Sequence, residues 1–304
     1  MRFGVHLGPQ GLEMDELRQA WREIEDLGFD WISVWDHFYA AAPPWEQPSF
    51  EATVVHTALA METSRVRVGC LVYSTGYRHP GVLANVGVAI DHLSKGRFEL
   101  GLGAGWHQTE YDAYGIPFEP PAVRLRRMAE YADVVRLLWT EDSADFQGEF
   151  YQLQQARCDP KPLQRSPRIW IGARGPRALA LAGQVGDAWN IAYVSPEHFG
   201  RCYEVVRASC PRPDAYAAGV NVGLMGELSE ADRREFLIRR YGSAEVGVRD
   251  GILEGSSAQM IDRVGQYQDA GADWVIIALR PPIEEDVLVR FATEVIPAFV
   301  ASED

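Results

Sequence analysis

"PRIWIGARGPRALALAG", residues 167–183, holds a strand, a turn and the start of a helix in one run. Ile169 to Ile171 read as a short buried strand, Gly172 and Gly175 permit a turn, and Pro176 suits a first helical turn. A short strand running straight into a helix is the unit of parallel β/α folds, because parallel neighbours need a crossover between them.

The same unit recurs in both directions. Toward the N terminus, residues 2–7 read as a strand. "MDELRQAWREIEDLG" sets Leu17, Trp21, Ile24 and Leu27 on one helical face, with Gly28 as a stop. Residues 31–35 make a second strand before a Pro-rich loop through "APPWEQPS", then a helix over 50–61 and a strand in "RVRVGCLVY". A helix over 81–93, a strand in "GRFELGLG" and a long helix over 122–139 follow. Toward the C terminus, "GDAWNIA", "AGVNVGLMG" and "ADWVIIAL" supply strands six to eight, with helices at 197–208, 230–241 and 285–299. Eight strands favour a closed (β/α)₈ TIM barrel of α/β class, with loop insertions at its carboxyl-terminal face. The stretches 140–167 and 242–260 are then insertions on the barrel or lids over it. Residues 1–304 are expected to form a single domain, with no linker and no internal repeat.

Composition fits a folded globular protein: 47% of the chain is hydrophobic and 24% charged. Twenty-nine Lys and Arg against 43 Asp and Glu leave a formal charge of -14, which repels nucleic acid and anionic membrane surfaces. An anionic small molecule is still admissible where backbone N–H groups or a single Arg line a pocket. The four cysteines form no CxxC pair, no basic leader precedes an apolar run, and no run reaches the length of a membrane span. A cytoplasmic protein with reduced thiols is the expectation.

In such a barrel the loops after the strands make the active face, and unusual residues recur there. Asp36 and His37 follow strand two, Cys70 to Thr75 close strand three, Trp106 and His107 follow strand four, Arg174 follows strand five, and Asn190 closes strand six. His37 suits a cofactor contact or proton transfer, since an imidazole titrates near neutrality. Its neighbour Asp36 fixes a tautomer only if the two side chains meet. Leu71 and Val72 would line the apolar side of a heterocycle whose polar edge meets Tyr73, Ser74 and Thr75. In "GLGAGWHQTEY" the glycines let a strand end approach a bound ring, with Trp106 or His107 as its wall or as support. The turn Gly172, Ala173, Arg174 and Gly175, with Arg177, reads either as a phosphate site at a helix N-terminus or as a glycine turn with solvated arginines. The seven histidines form no HExxH and no close His/Cys cluster, so no metal site is expected, and no GxSxG elbow is present.

"MRFGVHL", "VWDHF", "VRVGCLV", "IDHLSKGR", "LGLGAGWHQTEYDAYGIPF", "CDPKPLQ", "IWIGARGPRALALAG" and "GDAWN" arrive in the order found in the luciferase-like monooxygenase superfamily. The chain resembles its deazaflavin-dependent oxidoreductases in particular, on the DHF segment and the long "AGWHQTEYDAYGIPF" motif. The resemblance implies a barrel that holds coenzyme F420, or FMN in its place, above the strand ends, usually in a homodimer. It implies His37 beside the reactive ring, a nonprolyl cis peptide at Leu71–Val72 beneath it, and phosphate near Gly172 to Gly175. The implied reaction is hydride transfer to or from a small organic substrate, with Trp45 and Tyr73 as candidates for shaping the substrate space. One departure stands out. Some relatives that oxidise an alcohol or sugar phosphate carry a catalytic glutamate directly after the third glycine of the strand-four turn, where this chain has Trp106. Glu110 reads as a helical-face neighbour of Trp106 or as a surface acid. FMN monooxygenation, a noncatalytic flavin-binding protein and a metal-assisted hydrolase are the competing functions.

Overall fold

The computed structural model describes residues 1–41, 43, 45–242 and 249–300. Eight strands close on themselves: β1 Arg2–His6, β2 Trp31–Val34, β3 Arg67–Cys70, β4 Phe98–Gly103, β5 Ile169–Gly172, β6 Ala188–Ala192, β7 Ala217–Met225 and β8 Trp274–Ala278. Each pairs in parallel with the next, and β8 returns to β1 in register from Arg2 opposite Trp274 to His6 opposite Ala278. The expected (β/α)₈ barrel is therefore the observed one.

Helices form where apolar residues recur on one face. Leu17, Trp21 and Ile24 bury the inner side of Met14–Asp26, and the helix starts at a capping box between Glu13 and Glu16. Long connections after β2 and β4 supply the insertions at the carboxyl end. The 140–167 stretch instead folds an antiparallel hairpin, Ala144–Gln147 with Gln152–Ala156, against the outside of helix Pro121–Thr140. There the Glu130 carboxylate accepts from the backbone N–H groups of Glu149, Phe150 and Tyr151. In 242–260 the described part adds Ile252–Glu254 to the far end of β7 and begins a helix, Ser257–Asp269, that the pattern reading passed over. Residues 243–248 lie outside the described residues. The terminal helix ends early. Glu285–Arg290 is α, but the chain then widens to a π turn over Phe291–Val295 and tightens to 3₁₀ over Ile296–Ala298, where Pro297 has no N–H to continue the ladder.

The interior of the barrel is sealed at its amino end. Trp31, Trp170 and Trp274 meet with ring centroids 4.8, 5.4 and 6.3 Å apart, and Leu71 packs onto this layer from above. The Trp170 indole N–H donates to buried Glu99 at 2.9 Å, and Arg67 pairs with the other oxygen of that carboxylate. Burial of each indole stabilises the fold by a few kcal/mol and leaves only the carboxyl end of the barrel open. No helix among the described residues is long and apolar enough to cross a membrane.

Candidate active site

The site is organised by an interruption in the third strand. Strand β3 ends at Cys70, with the Leu71 N–H making a last bond to the Val34 carbonyl at 2.9 Å; Leu71–Val72 forms a cis peptide bond, and Tyr73–Ser74 resumes parallel pairing with β4. Glycines make room for the displaced residues. A Cβ at Gly172 would stand 3.1 Å from one methyl of Val72, one at Gly103 would overlap the other methyl, and one at Gly101 would strike the Cys70 carbonyl. Gly103 and Gly172 thus make room for Val72 at the barrel mouth, and Gly101 makes room for the Cys70 carbonyl.

Asp36 and His37 leave the end of β2 in different directions. Asp36 is buried and takes two hydrogen bonds from the Arg78 guanidinium, at 2.7 and 2.9 Å, and one from the Ser74 N–H at 2.9 Å. Burial works against the Arg78 charge, but Asp36 and Glu51 together push its pKa up. Asp36 therefore ties β2 to the segment after the interruption and has no hydrogen bond to His37. The partner of His37 is Glu110, whose Oε2 lies 2.8 Å from Nδ1.

Glu110 is fully buried and is no surface acid. Its Oε1 accepts the backbone N–H groups of Phe38 at 2.6 Å and Tyr39 at 2.8 Å, and Oε2 accepts the Tyr77 hydroxyl at 2.6 Å. Burial alone would raise the carboxyl, yet the His37 hydrogen bond and charge, with the Tyr77 and Tyr39 donors, bring it down to about 2. His107 Nδ1 lies 3.2 Å from the same Oε2, out of line for a hydrogen bond. These three donor atoms fall within 4.8 Å of one another, a grouping that sequence spacing did not foretell. With both oxygens of Glu110 already hydrogen-bonded, the geometry is that of a hydrogen-bonded cluster.

These elements surround a cavity of about 650 Å³, within the range of small-molecule and cofactor sites. Asp36, His37, Leu71, Val72, Trp106, Gly172, Ala173 and Arg174 line it as the sequence suggested. Others stand behind the wall or away from it. Cys70 is wholly buried, with its thiol pKa pushed well up by burial, and contributes its carbonyl to the strand interruption. His107 stacks under Trp106, with ring centroids 4.9 Å apart. Gly175 caps helix Pro176–Val185 at the rim. Tyr73 faces the core, hydrogen-bonded to His56 at 2.9 Å, and Trp45 is exposed and outside the lining.

The β6–β8 side of the cavity was not anticipated beyond Asn190. Asn190 donates to Asn221 at 2.9 Å, and Tyr193 and Arg280 close that wall. The Arg280 guanidinium lies 5.7 Å from the Tyr193 ring and 5.4 Å from that of Tyr241, and donates to the Arg240 carbonyl at 3.1 Å. Neither Arg280 nor Arg174 has an acidic partner among the described residues. On the floor, His6 bonds Ser33 at 2.9 Å; burial first, then the charges of Arg280 and His37, lower its pKa to about 3 and keep it neutral.

A closed parallel barrel, sealed below by tryptophans and opening above into a cavity lined from strand ends, has the architecture of TIM-barrel enzymes. The sequence model of the family described as luciferase-like monooxygenase matches residues 1–249, and the chain belongs to that family. It is 27% identical over 270 residues to the 5,10-methylenetetrahydromethanopterin reductase of Archaeoglobus fulgidus, an alignment that covers 89% of this chain and 75% of that one. It is 32% identical over 169 residues to the F420-dependent glucose-6-phosphate dehydrogenase of Amycolatopsis mediterranei, covering 54% of this chain but only 49% of the dehydrogenase. Among solved structures, an F420-dependent secondary alcohol dehydrogenase in complex with an F420-acetone adduct superposes with a TM-score of 0.85 at 19% identity, covering 98% of both chains.

Proposed function

We propose that the chain is an oxidoreductase that moves a hydride between deazaflavin coenzyme F420 and a small organic substrate. What carries the reading is one cavity whose wall joins His37, held from behind by Glu110, with the Leu71–Val72 interruption and the turn Gly172, Ala173 and Arg174. The F420 dependence of the dehydrogenase of Amycolatopsis mediterranei supports the choice of deazaflavin.

The residues present suit such a group. A Cβ at Gly175 would meet nothing within 4 Å, so space is open before the N-terminus of helix Pro176–Val185, and Arg174 has no acidic partner there among the described residues. That combination fits a phosphate, through free N–H groups and one cation. Leu71 and Val72 offer an apolar support for a flat ring.

When bound, the deazaflavin supplies the carbon that gives or receives the hydride. The chain's own residues do the rest. Arg174 and the amides of the turn bind the charged tail. Leu71 and Val72 support the ring and keep water from one face. His37 handles a proton at the cavity, and Arg280 with Tyr193 binds the polar end of the substrate. Asp36 at the wall, with His107 and Cys70 behind it, holds these groups in place. We also propose a homodimer, because Val54 and Met61 of helix Ala52–Glu62 and Val82 and Leu93 of helix Pro80–Leu93 are exposed on neighbouring helices. Sedimentation as a monomer at micromolar concentration would remove that part.

The deciding experiment titrates the purified protein in parallel with F420 and with FMN and follows each chromophore. F420 is expected to bind, and more weakly to an Arg174→Gln variant. Binding of FMN with no response to F420 would move the chain to flavin-dependent monooxygenation.

A further inference from the structure

We propose that Glu110 is the positioning residue of the site: it locks His37 with its hydrogen on Nδ1 and so turns a proton-accepting Nε2 toward the cavity. The inference rests on the hydride-transfer reading for its purpose, but not for its geometry.

The argument is a count of donors. Glu110 Oε1 faces two backbone N–H groups, from Phe38 and Tyr39, and neither can accept a proton. Oε2 takes the Tyr77 hydroxyl and faces His37 Nδ1 at 2.8 Å. A carboxylate so surrounded is an acceptor on every side, and the downward displacement of its pKa agrees. The hydrogen between Oε2 and Nδ1 must therefore sit on the imidazole. Nε2 has no hydrogen-bond partner among the described residues and is not enclosed by protein, while His37 lines the cavity.

The charges around His37 leave this pairing in control. His6 on β1 is neutral. Asp36 and Arg78 neutralise each other through two hydrogen bonds. Tyr77 is a neutral donor whose pKa burial and Glu110 both push up. His107, on the same side of the site as Glu110, holds its Nδ1 out of line with Oε2, and Arg280 lies across the cavity. A proton arriving at Nε2 makes an imidazolium whose Nδ1–H stays on the Glu110 anion. Glu110 never needs to take a proton itself.

A Glu110→Gln variant gives a sharp outcome. Its amide oxygen must stay with the Phe38 and Tyr39 N–H groups, which leaves the amide nitrogen facing His37 Nδ1. That nitrogen donates, so Nδ1 becomes the acceptor and the hydrogen moves to Nε2. The test is heteronuclear NMR of protein labelled with ¹⁵N at histidine, without added cofactor, with His37 assigned by its loss in His37→Gln. The neutral wild type is expected to carry hydrogen on Nδ1. Glu110→Gln is expected to reverse the tautomer, moving the hydrogen from Nδ1 to Nε2. Glu110→Asp, which keeps a carboxylate acceptor, is expected to keep the hydrogen on Nδ1. A wild-type His37 protonated on Nε2 overturns the proposal, even if the glutamine variant fails to fold. So does an unchanged tautomer in a folded Glu110→Gln protein. A tautomer reversal in Tyr77→Phe would give the role to Tyr77 and overturn it as well. None of these readings depends on F420, so failure of the cofactor assignment stays distinguishable.

Discussion

The fit between Val72 and the glycines around it can be tested by exchanging one methyl group for another. At Gly103 a Cβ would overlap Val72 Cγ2, whereas at Gly101 the obstacle is the carbonyl of Cys70. Gly103→Ala forces an extra methyl into filled space and should cost about 1–3 kcal/mol. Val72→Ala removes both methyls of a half-buried side chain and should cost about 1–2 kcal/mol. If the two effects were independent, the double variant would lose about 2–5 kcal/mol. Because the alanine methyl at 103 occupies the space that Val72 vacates, the double variant should instead lie near Val72→Ala alone, a coupling of about 1–3 kcal/mol. Gly101→Ala is the control. Its obstacle is backbone, so Val72→Ala should not rescue it. Urea denaturation followed by tryptophan fluorescence and far-UV circular dichroism gives the midpoints of the wild type and all five variants. Strict additivity of Gly103→Ala with Val72→Ala, or equal rescue of Gly101→Ala, would refute the view that Gly103 is there to admit Val72.

Acid should destabilise the fold well above the usual carboxylate range. Burial keeps His6 neutral to about 3 and His56 to about 4, so between roughly pH 6 and 4 the unfolded chain binds two more protons and stability falls by about 2–3 kcal/mol per pH unit. His56→Phe should remove about half of that slope in urea midpoints measured across pH. Glu110 adds a loss at lower pH, since its stabilisation is complete above about 4.5 and disappears as pH falls through about 2. Arg97 donates to the carbonyls of Ala60, Thr63, Val66 and Ser94 at 2.7–2.9 Å, and Arg97→Met should cost about 2–5 kcal/mol in thermal or chemical denaturation by leaving them unpaired. Arg280→Gln should raise KM about 10–100-fold with a smaller change in kcat once a substrate is in hand; an unchanged KM would free Arg280 from substrate binding.

The barrel was legible because its information is local. A strand of four or five apolar residues, a glycine or proline turn and a helix with one apolar face can each be read within a short window, and eight repetitions leave little choice of architecture. The helix Ser257–Asp269 carried the same signals, with a capping box at Ser256 and Gln259 and buried Met260, Val264 and Tyr267, but it was hidden inside a stretch read as an insertion. The site was legible only as a list of strand-end residues. Asp36 was the nearest acid to His37 along the chain, yet the acid that holds the imidazole is 73 positions away. Nothing in "WHQTEY" marks Glu110 as a buried acid, because its burial depends on the backbone of Phe38 and Tyr39 and the Tyr77 side chain meeting its carboxylate. Arg280 follows the last strand without any local feature that distinguishes it from a surface arginine.

Arg174 and Arg280 lie in the cavity wall of a chain with a formal charge of -14, and that contrast has a kinetic consequence. An anion approaching from solvent meets repulsion first and attraction only at the mouth. The two fields differ in range. Salt at physiological strength screens the outer one over a Debye length of about 8 Å, but reaches the half-buried Arg280 less. Raising ionic strength should therefore quicken association of a charged ligand before it weakens retention, so that on-rate and affinity move in opposite directions.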